Sequence, residues 1–203
     1  MKGWHGWLAL CLLHAGASLL VWFLGAGAAD ALSWRADDWT RQPWTLWSSA
    51  WVHLSASHLI GNLMSLGALA AFGWLARPCG PSSLAWLLAW PLTQASLLLW
   101  PQIDYAVGLS GLLHAAVAVL GLQLLCQRQA LAQRWGLLLA LGLLLKLALE
   151  RGWTYPLAWL ADGDMTVVRA AHLSGAFWGG ALIVLGQALR WCQAKASGAP
   201  VAQ

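Results

Sequence analysis

Apolar residues run along this chain in long blocks, with most polar positions gathered between them. The blocks predict membrane-spanning helices near 5–27, 52–76, 83–101, 106–126, 134–150 and 166–192. Each is close to the roughly 20 apolar residues that a helix needs to cross a bilayer. The breaks have their own chemistry. Residues 30–43 are polar and rich in tryptophan, while 77–81 (RPCGP) and 101–104 (PQID) read as tight turns. Residues 126–134 are basic, and 150–164 mix charge with glycine and proline. Lys146 falls inside the fifth block. It is read as a lysine near a helix end that snorkels to the interface, with Glu150 one turn away.

Composition turns this pattern into a class. Of 203 residues, 60% are hydrophobic and 9% are charged, whereas a soluble domain carries about 25% charged residues. The charge is too sparse to cover a soluble surface, so the chain is expected to be an all-α integral membrane protein. The expected architecture is one compact six-helix bundle over residues 1–195, with 196–203 as a short disordered cytoplasmic tail. No internal repeat or low-complexity tract is visible. Lys2, Arg77, Arg128, Arg134, Arg190 and Lys195 fall on one side of the predicted bundle, and all seven acids fall on the other. The basic bias places both termini in the cytoplasm. The net charge of +4 is then a topology signal and gives no reason to invoke nucleic acid. The first block is longer than the roughly 7–15 apolar residues of a signal peptide, so it is expected to remain as a span. The four cysteines form no CxxC or Cys/His cluster, which argues against a disulfide framework or a zinc site.

Polar side chains within apolar blocks are costly and therefore candidates for function. The second block contains His58 and Asn62, four apart and so on one helix face, with His53 nearer the loop. The fourth begins Gly108-Leu109-Ser110-Gly111, and the sixth contains Ala171-His172-Leu173-Ser174-Gly175. These three blocks run in the same direction. Ser110 lies about four residues into its block, His172 about six and Asn62 about ten, or roughly 6–15 Å below the helix ends. A serine, a histidine and an Asn/His pair at one level suit acyl transfer. Neutral histidine can take the serine proton, and amide, imidazole and helix N-terminal N–H groups can hold an oxyanion. No carboxylate is expected at this level, so the expected arrangement is a Ser-His dyad. Gly108 and Gly111 allow a second backbone near the serine. Ala171, Gly175 and Gly179 form a small-xxx-small face that permits close helix packing. His114 lies one turn beyond Ser110, and its side chain points back over that turn. Spacing leaves it open as a rival base. His5 and His14 are assigned no role.

Together these residues resemble the rhomboid family of intramembrane serine proteases. The resemblance is carried by His53-x4-His58-x3-Asn62, Gly108-Leu109-Ser110-Gly111 and Ala171-His172-x2-Gly175-x3-Gly179, in that order and on six spans. It implies that Ser110 is the nucleophile and His172 its base. It implies an oxyanion hole from His58, Asn62 and the Ser110 backbone, supported by His53, Gly108, Gly111, His114 and Gly175. It also implies a membrane-embedded outer loop over 30–49, and no cofactor or metal. Two positions depart from the family pattern. Trp44-Thr45 replaces a common Trp-Arg, and His114 stands where an aromatic commonly packs on the catalytic histidine.

The run from Gly108 through His114 is similar to the rhombosortase branch. That branch implies single-span membrane protein substrates with a C-terminal Gly-Gly motif, a helix and a basic tail. It further implies a bacterial inner membrane, with the active site opening to the periplasm. A catalytically inactive rhomboid-like scaffold is the alternative from a different class. A transporter is disfavoured by the lack of repeats, and a metalloprotease by the lack of His-Glu-x-x-His.

Overall fold

Each predicted apolar block contains a helix in the computed structural model, which describes residues 3–160 and 165–197. The chain begins with α1 (Gly3–Leu24). The first loop holds α2 (Ala26–Leu32), strand β1 (Trp34–Arg35) and the one-turn α3 (Thr45–Ser48). Then come α4 (Ala56–Ala76), α5 (Gly80–Ala95) with a 3-10 turn (Ser96–Leu99), strand β2 (Tyr105–Ala106) and α6 (Ser110–Leu125). Helix α7 (Ala130–Glu150), strands β3 (Leu157–Leu160) and β4 (Met165–Val168), and α8 (Arg169–Ser197) complete it. Five of the helices are long and apolar enough to cross a membrane, counting α5 with its 3-10 turn. Helix α6, at 16 residues, is shorter. Most of the expected tail (198–203) lies outside the described residues, as do Asp162 and Asp164.

The starts of α4, α6 and α8 fall three or four residues later than the sequence expectation of 52, 106 and 166. Residues 105–106 pair with β1, and 165–168 form a hairpin with β3. The β-branched run Thr166-Val167-Val168 is apolar enough for a span but favours extended backbone. Ser110 is therefore the first residue of α6, His172 the fourth of α8 and Asn62 the seventh of α4. These side chains lie nearer their helix starts than block counting suggested. Ser55 begins α4 as a true N-cap, its Oγ accepting the His58 amide at 3.2 Å.

Helix α6 is central, with α4, α5, α7 and α8 around it. The contact with α8 brings backbone against backbone. A Cβ on Gly175 would lie 2.0 Å from the Gly111 carbonyl oxygen, and one on Gly179 2.4 Å from that of Ala115. Tryptophans join the other helices, burying a large ring and giving its N–H to an acceptor. Trp7 of α1 donates to the Leu69 carbonyl at 3.2 Å, and Trp86 of α5 to the Leu112 carbonyl at 3.0 Å. Trp178 of α8 donates to Ser96 Oγ at 2.7 Å. His14 is a core histidine whose Nδ1 accepts the Trp51 indole N–H at 3.1 Å.

The first loop closes through Trp44 and Thr45. Trp44 Nε1 donates to the Ala31 carbonyl at 3.1 Å, and buried Thr45 Oγ1 donates to the Gln42 carbonyl at 2.7 Å. The loop then fastens to the strand ahead of Ser110. Trp34 faces Ala106 and Arg35 faces Tyr105 across the ladder, and the Gly108 amide donates to the Ser49 carbonyl at 2.9 Å.

Side-chain atoms at the α6–α8 contact have nowhere to go. Gly175→Val is expected to cost about 2–3 kcal/mol through overpacking. In a detergent-solubilised protein this lowers the thermal midpoint by roughly 5–10 °C.

Candidate functional site

Three helix N-termini and one C-terminus meet beneath the first loop and the β3–β4 hairpin. Ser110 opens α6, His58 and Asn62 lie in the first two turns of α4, and His172 lies in the first turn of α8. Helix α7 runs the opposite way, so its last residue, Glu150, arrives at the same level. The Ser110–His172 pair is in contact, with His172 Nε2 2.9 Å from Ser110 Oγ. His172 Nδ1 is 2.8 Å from Glu150 Oε2.

The partners fix the tautomer. A carboxylate oxygen only accepts, so His172 Nδ1 carries the proton and donates to Glu150. Nε2 then presents its lone pair to the Ser110 hydroxyl. His114 is engaged differently. Its Nδ1 donates to the Ser110 backbone carbonyl at 2.7 Å, and its ring stacks on His172 with centroids 4.1 Å apart and planes 10° from parallel. The residue read as a rival base is hydrogen-bonded to the serine's carbonyl and packed against the other histidine.

On the facing side, His58 reaches under Gly108. A Cβ on Gly108 would lie 2.6–2.7 Å from the His58 ring, and its φ of 108° is a conformation that side chains disfavour. Asn62 Nδ2 lies 3.9 Å from the same point. Asn62 Nδ2 and His58 Nδ1 are buried without a hydrogen-bond partner among the described residues. His53 packs edge-on to His58 at 4.8 Å, and its Nδ1 donates to the Trp51 carbonyl at 3.1 Å. Burial holds His53 below the ordinary histidine pKa, partly opposed by that carbonyl.

Glu150 corrects the sequence reading, which placed no carboxylate at this level. Depth was counted down from helices that start at this end, and Glu150 comes up on the helix that finishes here. Lys146 is also more than an interfacial lysine. Its Nζ lies 2.5 Å from Glu150 Oε1 and lines the same cavity as Ser110 and His172. A sequence signal existed, because an acid in the last turn of a helix sits at the unfavourable end of the macrodipole.

Ser110 stands between two cavities. The larger, about 680 Å³, runs between α4 and α7 along α6, with His58, Asn62, His114 and Lys146 at one end and leucines beyond. Phe72 of α4 meets Trp135 of α7 edge-on at 6.1 Å, toward the far end. The smaller, about 210 Å³, lies toward β4 and is lined by Gln94, Gly108, Thr166 and Glu150 among others.

His114, Glu150 and His172 bring ligand-type atoms within 4.8 Å of one another. They do not fit a metal ion as arranged. A ring nitrogen's lone pair lies in the ring plane, and two stacked rings aim theirs into separate parallel planes. One ion cannot lie about 2.0–2.1 Å from both in good geometry. Both nitrogens of His172 are also already engaged.

Compared with known protein families, residues 40–188 match the Rhomboid domain, a stretch that holds every side chain of this cluster. No curated protein matches the chain at a significant level.

A methyl group at Gly108 meets both a disfavoured φ and the His58 ring. Gly108→Ala is expected to destabilise the protein by about 1–3 kcal/mol. It should move the NMR signals of the His58 imidazole while leaving those of core His14 in place.

Proposed function

The chain belongs to the rhomboid family, in general intramembrane serine proteases, and from this we propose a serine endopeptidase that cuts membrane-tethered proteins beside or within a transmembrane segment. The observation that carries the proposal is the 2.9 Å contact between Ser110 Oγ and the free lone pair of His172 Nε2. A serine hydroxyl is a weak nucleophile until a base takes its proton.

In this reading Ser110 Oγ attacks the substrate carbonyl carbon as its proton passes to His172 Nε2. The new C–O bond pushes the carbonyl electrons onto oxygen. Collapse of the intermediate breaks the C–N bond, and His172 returns the proton to the departing amine. Water then cleaves the acyl-enzyme by the same steps, with His172 as base. The oxyanion faces the first N–H groups of α6, His58 and the unpartnered Asn62 amide, which suit developing negative charge in a site with little water. The smaller cavity holds Gln94, whose buried Oε1 lacks a protein partner among the described residues. An unpartnered acceptor in a cavity of this size suits a water molecule.

The cavity between α4 and α7 supports sideways entry of a substrate helix from the bilayer. Its wall is leucine-rich, and its polar end is at Ser110. The stretch from Gly108 to His114 supports the rhombosortase branch, with substrates ending in a Gly-Gly motif, a helix and a basic tail. Glycine at the cut would help, because a helical peptide bond must unwind before attack and glycine weakens helices. That branch implies a bacterial inner membrane, and the distribution of basic residues supports an orientation with the site facing the outer, periplasmic side.

A fluorophosphonate probe is expected to label the wild-type protein and not Ser110→Ala. A wild-type chain that takes no label favours an inactive scaffold. In co-expression with a tagged Gly-Gly, helix and basic-tail substrate, His172→Ala should lose about 10²–10⁴-fold in cleavage. His114→Phe, which preserves a stacked ring, should stay within about tenfold. The opposite ranking would make His114 the base. Gly142 lines the larger cavity with open space around it. Gly142→Phe should therefore slow cleavage of the transmembrane substrate about tenfold or more by filling its path, while probe labelling continues.

A further inference from the structure

The mechanism above uses one nitrogen of His172 and leaves the other bound to a residue with no assigned part. We propose that Glu150, held by Lys146, is a positioning residue that turns the Ser110–His172 pair into a Ser110–His172–Glu150 triad. This rests on the protease reading.

Nothing about the end of α7 calls for an acid. A carboxylate in the last turn faces the negative end of the helix dipole. The pair with Lys146 has the lysine N-terminal to the glutamate, the weaker orientation for helix support. Yet Glu150 is only 16% exposed, and both its oxygens are engaged, Oε1 by Lys146 at 2.5 Å and Oε2 by His172 at 2.8 Å. Its backbone is held as well. The Arg169 guanidinium donates to the Glu150 carbonyl at 3.1 Å, linking the end of α7 to the start of α8. The next residue, Arg151, closes α7 with φ 51°, its amide donating to the Leu147 carbonyl at 2.9 Å. The carboxylate is thus fixed from α7 and from α8 together.

His114 covers a face of the His172 ring, so the ring's polar contacts lie in its plane, with Ser110 at one end and Glu150 at the other. Glu150 keeps the proton on Nδ1 and the lone pair on Nε2. Were the tautomer reversed, Nε2 would donate and could take no proton from serine. When His172 accepts that proton, the imidazolium forms against a carboxylate that stays ionised. Lys146 balances that carboxylate beforehand, where an isolated buried anion would be costly. The charges of Lys146 and Glu150 cancel before attack, and those of imidazolium and oxyanion cancel after it. The step moves a proton within the cluster without adding net charge to an apolar cavity.

The test compares Glu150→Gln, Glu150→Asp, Lys146→Met and Ser110→Ala with the wild-type protein in detergent, using the tagged substrate. Glu150→Gln should lower kcat about 100-fold or more with KM within about threefold. Glu150→Asp, which keeps the charge, should recover about tenfold of that loss, and Lys146→Met should lose less than Glu150→Gln. A far-downfield Nδ1 proton signal from His172 should be present in wild type and Ser110→Ala and absent in Glu150→Gln. Wild-type kcat in Glu150→Gln overturns the triad and leaves the protease reading intact. A wild-type protein that neither labels nor cleaves overturns both. A loss in Glu150→Gln that matches a collapsed thermal midpoint and that aspartate does not relieve also overturns the triad, because a loosened helix end then explains it.

Discussion

Helices α6 and α8 meet with no side chain between them at Gly175 and Gly179, and the position of His172 follows from that approach. With α8 held this close, a residue one turn above Gly175 on the same face must lie against the start of α6. The hydroxyl-to-imidazole distance is set by this backbone contact and needs no flexible side chain to reach across a gap. The tryptophan bonds from α1 and α5 carry the same rigidity outward, tying each helix to an acceptor on its neighbour. A site that depends on sub-ångström placement is best built on such elements rather than on loops.

Around that contact the protein treats polar groups in two ways. Away from the site many are paired within the fold, as with His14 and Trp51, or Ser82 Oγ and the Gln123 side chain, while Ser18 Oγ, Trp34 Nε1, Ser49 Oγ and Ser174 Oγ have no partner among the described residues. Beside Ser110 several are buried and left open, including Asn62 Nδ2, His58 Nδ1 and Gln94 Oε1. An unmet donor in a dry interior is expensive.

Much of this was legible in the chain because the informative spacings are local. His58-x3-Asn62 is one helical face, and Ala171, Gly175 and Gly179 form another, so each could be read without knowing the fold. The helix starts were less legible. Tyr105-Ala106 and Thr166-Val167-Val168 are apolar enough to extend a span, and strands this short have too few residues to show an alternating period. Glu150 was hidden for a different reason. Its contact with His172 joins the end of one helix to the beginning of the next across the β3–β4 hairpin, and local spacing at the end of the fifth block pairs Glu150 only with Lys146.

His114 shows how one substitution can serve two neighbours. Any flat ring at this position would pack on His172, but an imidazole also has an N–H, and here it goes to the Ser110 carbonyl. That carbonyl is the natural acceptor for the His114 backbone amide within α6. A second donor from the same residue secures the first turn from the side that faces the cavity. The first turn of α6, with its free N–H groups, is then braced from that side. The histidine beside the serine thus braces the helix that carries Ser110, while the histidine 62 positions away in sequence meets the Ser110 hydroxyl itself.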